Sequence, residues 1–153
     1  MNTKPSAPNP KDAVGIRKWR QYATVPMTVI WEVGVAMLEG ARKYGRHNYR
    51  VAGVTTSVYV DAAKGHIDCF WEGEDYDPDS GLSHITKAIA SLVVLRDAMI
   101  RDMMIDDRPP KVKDFDGFRA RLQHNVEDII NRYPDAMEPF TDVGERAKFA
   151  LPQ

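Results

Sequence analysis

Three stretches between Pro26 and Met99 return an apolar side chain every three or four residues, and each is bounded by residues that stop a helix. No feature constrains the fold more. That spacing gathers the apolar positions on one face of a helix but scatters them over both faces of a strand. The first stretch opens after Pro26, which suits a first turn. It carries Val29, Ile30, Val33, Ala36, Met37 and Gly40 and stops at Gly45. The second has Thr55, Thr56 or Ser57 as its cap, a stripe of Tyr59, Ala62, Ala63, His66, Ile67 and Phe70, and Gly73 as its stop. Val58 to Val60 alone would suit a strand, but the longer stripe favours a helix.

The third stretch starts near Ser83 and runs through Ile85, Ala88, Ile89, Leu92, Val93 and Leu95 to Met99, ending before "DDRPP", whose paired prolines prevent continuation. It is apolar on more than one face, which places it at the centre of a bundle or in a subunit interface. Asp114 caps a fourth helix whose buried side is Phe118, Leu122, Val126 and Ile129, with Asn131 near its end. Residues 1 to 12 carry prolines and few large apolar groups and read as a mobile arm; residues 13 to 153 form one helical domain, with a short helix near 142 to 149. With neither repeats nor a β-hairpin signal, the fold class is all-α, a bundle of about four main helices.

A chain of 153 residues buries roughly 70% of its unfolded surface without staples. Its 21 basic and 22 acidic residues balance, so it lacks the broad positive field that polymeric nucleic acid requires, and any anionic ligand must be met locally. Cys69 is the single cysteine, excludes an intramolecular disulfide and reads as a buried thiol. No apolar run approaches the roughly eighteen residues that a membrane span needs, and the N-terminus lacks a signal-peptide core; the expectation is a soluble, intracellular protein.

Three groups of residues carry chemistry. Glu32 and Glu39 lie two turns apart on one face of the first helix, and Glu32 is flanked by apolar side chains, where a carboxylate is costly unless paired or bound to metal. The loop "KYGRHNYR" offers Lys43, Arg46 and Arg50 with Tyr44, Asn48 and Tyr49, a set that suits a phosphorylated, base-bearing ligand. "GEDYDPDSG" places Glu74 and Asp77 in an E-x-x-D pair between His66 and His84, hard and intermediate ligands suited to Mg2+ or Mn2+. The bland reading of the same residues is a wet turn, with Asp79 as a helix N-terminal charge and His66 as a core histidine. Asp61, Lys64, Asp68 and Glu72 read mainly as a solvated face. Phosphate-loop, dinucleotide, nucleophile-elbow and C-x-x-C motifs are absent.

"WEVGVAMLEGARKYGRHNYR" followed by "VYVDAAKGHIDCFWEGEDYDPDSGLSHITKAIASLVVL" resembles a phage-encoded family described as dATP/dGTP diphosphohydrolases, regarded as related to the MazG-type nucleoside triphosphate pyrophosphohydrolases. The resemblance spans residues 31 to 95. It rests on Glu32, the K-Y-G-x-x-N-aromatic block, His66, and the G-E-x-x-D-x-[ED]-S-G-x-x-H block ending at His84. It implies a MazG-like bundle completed by homo-oligomerisation and hydrolysis of dGTP or dATP to the monophosphate and pyrophosphate, in remodelling of a phage nucleotide pool. It further implies Mg2+ (or Mn2+) held by Glu32, Glu74 and Asp77. On the same resemblance, Lys43, Tyr44, Asn48, Tyr49, Arg50 and Asp79 are expected to contact substrate, and His66 and His84 to assist catalysis. A non-catalytic nucleotide sensor and a helical assembly module are the competing readings.

Overall fold

The computed structural model describes residues 9 to 143. Helix α1 is Pro10–Gly15, α2 Met27–Tyr44, α3 Tyr49–Ala52, α4 Thr56–Trp71, α5 His84–Ile100 and α6 Phe115–Arg132; the two short strands are β1 Val54–Thr55 and β2 Met104–Ile105. The fold is all-α apart from that pair. Contacts divide the chain into two units between Arg108 and Pro109, so α1 to β2 belong to the first and α6 to the second.

In the first unit α5 is the central element, packed against α4 and α2. One core cluster gathers Val54, Val94, Leu95 and Ala98 with Met37, Tyr49 and Tyr59 around it; the other gathers Val33, Ala36 and Ala90 with Leu82 and Ile89. Small side chains dominate the buried positions, Ala63 and Ala88 at 3% exposure and Ala98 at 1%, because close-packed helices leave room for a methyl and little more. The expected centrality of the third helix stands, yet Leu92 and Val93 on its other side remain more than two fifths exposed.

The expected caps act differently from the reading of the sequence. Thr55 and Ser83 stand at the N-cap positions of α4 and α5, but neither hydroxyl makes a capping bond. Asp107 supplies the cap of α4 instead, accepting from the Ser57 N–H at 2.8 Å and from the Ser57 hydroxyl. It can do so because β1 and β2 pair in parallel, Val54 with Met104 and Thr55 with Ile105, bringing the end of α5 back to the start of α4. The turn into β1 rests on Gly53 at φ 82° and ψ 175°, a conformation open essentially to glycine alone, with Val54 N–H bonded to Met103 O at 3.0 Å. Sequence periodicity carries no trace of so short a pair.

Two further differences concern the ends. The first half of helix α1 falls inside the stretch read as an arm, with Asn9 accepting from the Lys11 N–H, while residues 1 to 8 lie outside the described residues. Asp114 caps α6 as expected, accepting from the Gly117 N–H at 3.1 Å. The side of α6 expected to be buried is not: Phe118, Leu122, Val126 and Ile129 are 43% to 55% exposed. The short helix expected near 142 to 149 lies almost wholly outside the described residues.

Candidate functional site

Helix α2 ends because Gly45 turns the backbone to φ 93° while its N–H bonds to Ala41 O at 3.0 Å. The loop that follows carries the K-Y-G block round into α3, with His47 itself at φ 62°. This loop forms one end of a cleft of about 780 Å3. Lys43, Tyr44, Asn48 and Tyr49 line it, together with Glu39 of α2, Tyr59 of α4, and Lys87 and Ser91 of α5. Four of the six residues expected to meet substrate therefore share one cavity. Arg50 does not join them, because its guanidinium makes a two-bond ion pair with Asp97 of α5 at 2.9 and 2.6 Å, which fixes α3 to α5. Asp79 does not line the cleft either and stands exposed in the turn.

Charge at the cleft wall converges on Lys87. Its ammonium lies 2.8 Å from Glu39 Oε2 and 3.0 Å from Asp77 Oδ2, while the other Glu39 oxygen takes Lys43. Lys87 is only 17% exposed at its side chain, so both carboxylates answer a desolvated charge. A hydrogen bond from Ser80, joined by Lys87, holds the Asp77 carboxyl down at about 2, and bonds from Lys43 and Lys87 lower that of Glu39. Two oxygens that share one cation are a donor pair that a hard metal ion can also use.

The acidic turn is closed by backbone bonds: Glu74 N–H to Cys69 O at 3.0 Å, Asp77 N–H to Leu82 O at 2.9 Å, and His84 N–H to Asp75 O at 3.0 Å. It sends its side chains two ways. Asp77 and Ser80 turn to Lys87. Glu74 turns to His84 Nε2, 3.2 Å away, and with Cys69 these make the group of potential metal-ligand atoms within 4.8 Å of one another that stands out among the described residues. Glu32 is elsewhere again, accepting from the buried Thr86 hydroxyl at 2.7 Å. The set Glu32, Glu74 and Asp77 is thus not gathered on one point. His66 and His84, the expected catalytic pair, meet Nδ1 to Nδ1 at 2.8 Å. Burial first, then the nearby Lys87 charge, lowers the His66 imidazole below its ordinary value. Burial also raises the Cys69 thiol, with Glu74 adding to the effect.

Reading the sequence missed Lys87 and Thr86, the partners of Glu39 and Glu32. A signal for Lys87 was present: it is the lone charge between Ile85 and Leu95, on a helix apolar around most of its girth.

No helix is long and apolar enough to cross a membrane among the described residues. No curated protein and no solved structure matches the chain. One family model does match, that of the dATP/dGTP diphosphohydrolase N-terminal region, over residues 8–108, the stretch that carries the cleft, the Lys87 ion pairs and the acidic turn. On that match the chain belongs to the dATP/dGTP diphosphohydrolase family.

Proposed function

We propose that the cleft takes a purine deoxynucleoside triphosphate and that the chain hydrolyses it to the monophosphate and pyrophosphate. The observation that carries this reading is the composition of one cavity: two ammonium groups, an amide and three phenol rings line a space of about 780 Å3, within the usual size of a small-molecule site. Lys43 and Lys87 offset charge on the phosphates. Tyr44, Tyr49 and Tyr59 offer flat faces to the base, and Asn48 offers a donor and an acceptor to its edge.

Mg2+ or Mn2+ fits the donors beside the cleft, since Glu39 and Asp77 present oxygens already converging on a cation, with Glu32 held by Thr86 on the same pair of helices. When bound, such an ion neutralises phosphate charge and acidifies the attacking water. The remaining work falls to the chain's own groups. Lys43 and Lys87 keep Glu39 and Asp77 ionised, and the Arg50–Asp97 pair holds the loop that frames the base.

The test is pyrophosphate release from each of the four deoxynucleoside triphosphates and from GTP, with Mg2+ and with EDTA. Metal-dependent release from dGTP or dATP is expected, and Asp77→Asn lowers kcat by roughly a hundredfold, the scale of losing one electrostatic contact to a transition state. Tight binding of these nucleotides without pyrophosphate release would instead make the protein a nucleotide sensor.

A further inference from the structure

Cys69 lies in the last turn of α4 with its sulfur within 4.8 Å of the Glu74 and His84 ligand atoms, and it does not line the cleft. Beside it, His84 is 3% exposed, and its Nε2 is buried without a hydrogen-bond partner. Glu74 Oε2 stands 3.2 Å from that nitrogen, but the ring N–H direction does not meet it.

The tautomers of His84 sharpen the point. Its Nδ1 is 2.8 Å from His66 Nδ1, so one of the two rings donates there. If His84 donates, its buried Nε2 is a bare lone pair 3.2 Å from a carboxylate oxygen, and two acceptors face one another. If His66 donates, the Nε2–H of His84 is buried with nothing in line to receive it, which costs about 1 to 3 kcal/mol. A cation between Nε2, the Glu74 oxygen and the Cys69 sulfur removes the conflict in the first arrangement. That arrangement is also the one metal-bound histidines adopt, with the far ring nitrogen donating to a neighbour.

We infer that Cys69, Glu74 and His84 bind a zinc ion, with a fourth position open to water. Thiolate and imidazole select a borderline-soft metal over Mg2+. The 3.2 Å between Glu74 Oε2 and His84 Nε2 matches the separation, about 3.3 Å, of two ligands on a tetrahedral zinc with bonds near 2.0 Å. Glu74, 50% exposed at its side chain, opens the path from solvent. None of the three residues lines the triphosphate cleft, and Glu74 turns to His84 while Glu39 and Asp77 turn to Lys87. Bound zinc would tie the end of α4 to the start of α5 through the acidic turn, fixing the loop from which Asp77 reaches Lys87.

The test uses the full chain, stripped of metal with a chelator and then titrated with Co2+ and with Zn2+ in the presence of excess Mg2+. One equivalent of Co2+ is expected to give tetrahedral visible bands and a thiolate charge-transfer band in the near ultraviolet, with Zn2+ displacing it stoichiometrically. Cys69→Ser, with unchanged far-ultraviolet circular dichroism, is expected to abolish the charge-transfer band. It should also weaken Zn2+ binding by more than the roughly 10- to 100-fold that loss of an outer partner costs. Glu74→Gln should weaken it without removing the band. A Co2+ spectrum lacking the thiolate band in the folded wild type, or Zn2+ affinity unchanged in Cys69→Ser, would overturn the assignment. Neither result bears on pyrophosphate release, which is read separately.

Discussion

A single ammonium organises the acidic side of the cleft. Glu39 and Asp77 come from different parts of the chain, yet both meet Lys87, and without it two carboxylates would face one another with only Lys43 to offset them. Lys87→Met should therefore cost more than a surface ion pair, because removing one partner from a desolvated set leaves uncompensated charge. The expected loss is about 3 kcal/mol in urea denaturation at neutral pH. Asp77 adds a pH dependence whose sign is fixed. Its folded pKa of about 2 lies below the ordinary 3.8, so the carboxylate stabilises the fold above pH 4, and this contribution is lost as pH falls from about 4 to about 2. In metal-free protein the decline attributable to Asp77 is about 2 kcal/mol, and Asp77→Asn should flatten that part of the stability curve. At this scale the sequence was half legible. The K-Y-G-x-x-N block announces a ligand loop by its mixture of cations and rings, whereas nothing in the spacing of Glu32, Glu74 and Asp77 reveals that Thr86, His84 and Lys87 each take a different one.

Helices declared themselves by apolar period and by glycine stops, so α2, α4 and α5 stand close to where the sequence places them. Their capping did not, because the group that closes α4 is Asp107, a distant residue delivered by tertiary structure and invisible to local pattern. The β1–β2 pair depends in turn on Gly53, where an added Cβ would sit 3.2 Å from Met103 O on a backbone at φ 82°. Gly53→Ala is expected to destabilise the protein by about 2 kcal/mol through that backbone strain. Hydrogen exchange should report it first at the Val54 N–H, which bonds to Met103 O.

At the level of the whole molecule, α2 presents a stripe of Trp31, Val35 and Leu38 with exposures of 66%, 53% and 52%. Residues at these intervals share one helical face, and a face of that kind in a bundle is ordinarily covered. The expected occupant is a second copy of the chain. Light scattering coupled to size exclusion should give a mass above the 17.3 kDa of one chain, and Val35→Asp should return it to that value with helicity retained. A monomer in the wild type would leave the stripe to some other partner. The balanced composition already argued against a broad electrostatic role, but periodicity could not tell which apolar faces meet within one chain.

The parallel pairing of Val54 and Thr55 with Met104 and Ile105 acts as a buckle. It fastens the far end of the cleft-bearing stretch to its middle just before Arg108, where both the first unit and the family match end. A length of chain that buckles onto itself carries its own terminus. The first unit thus holds its own end by bonds made inside it, Val54 N–H to Met103 O among them.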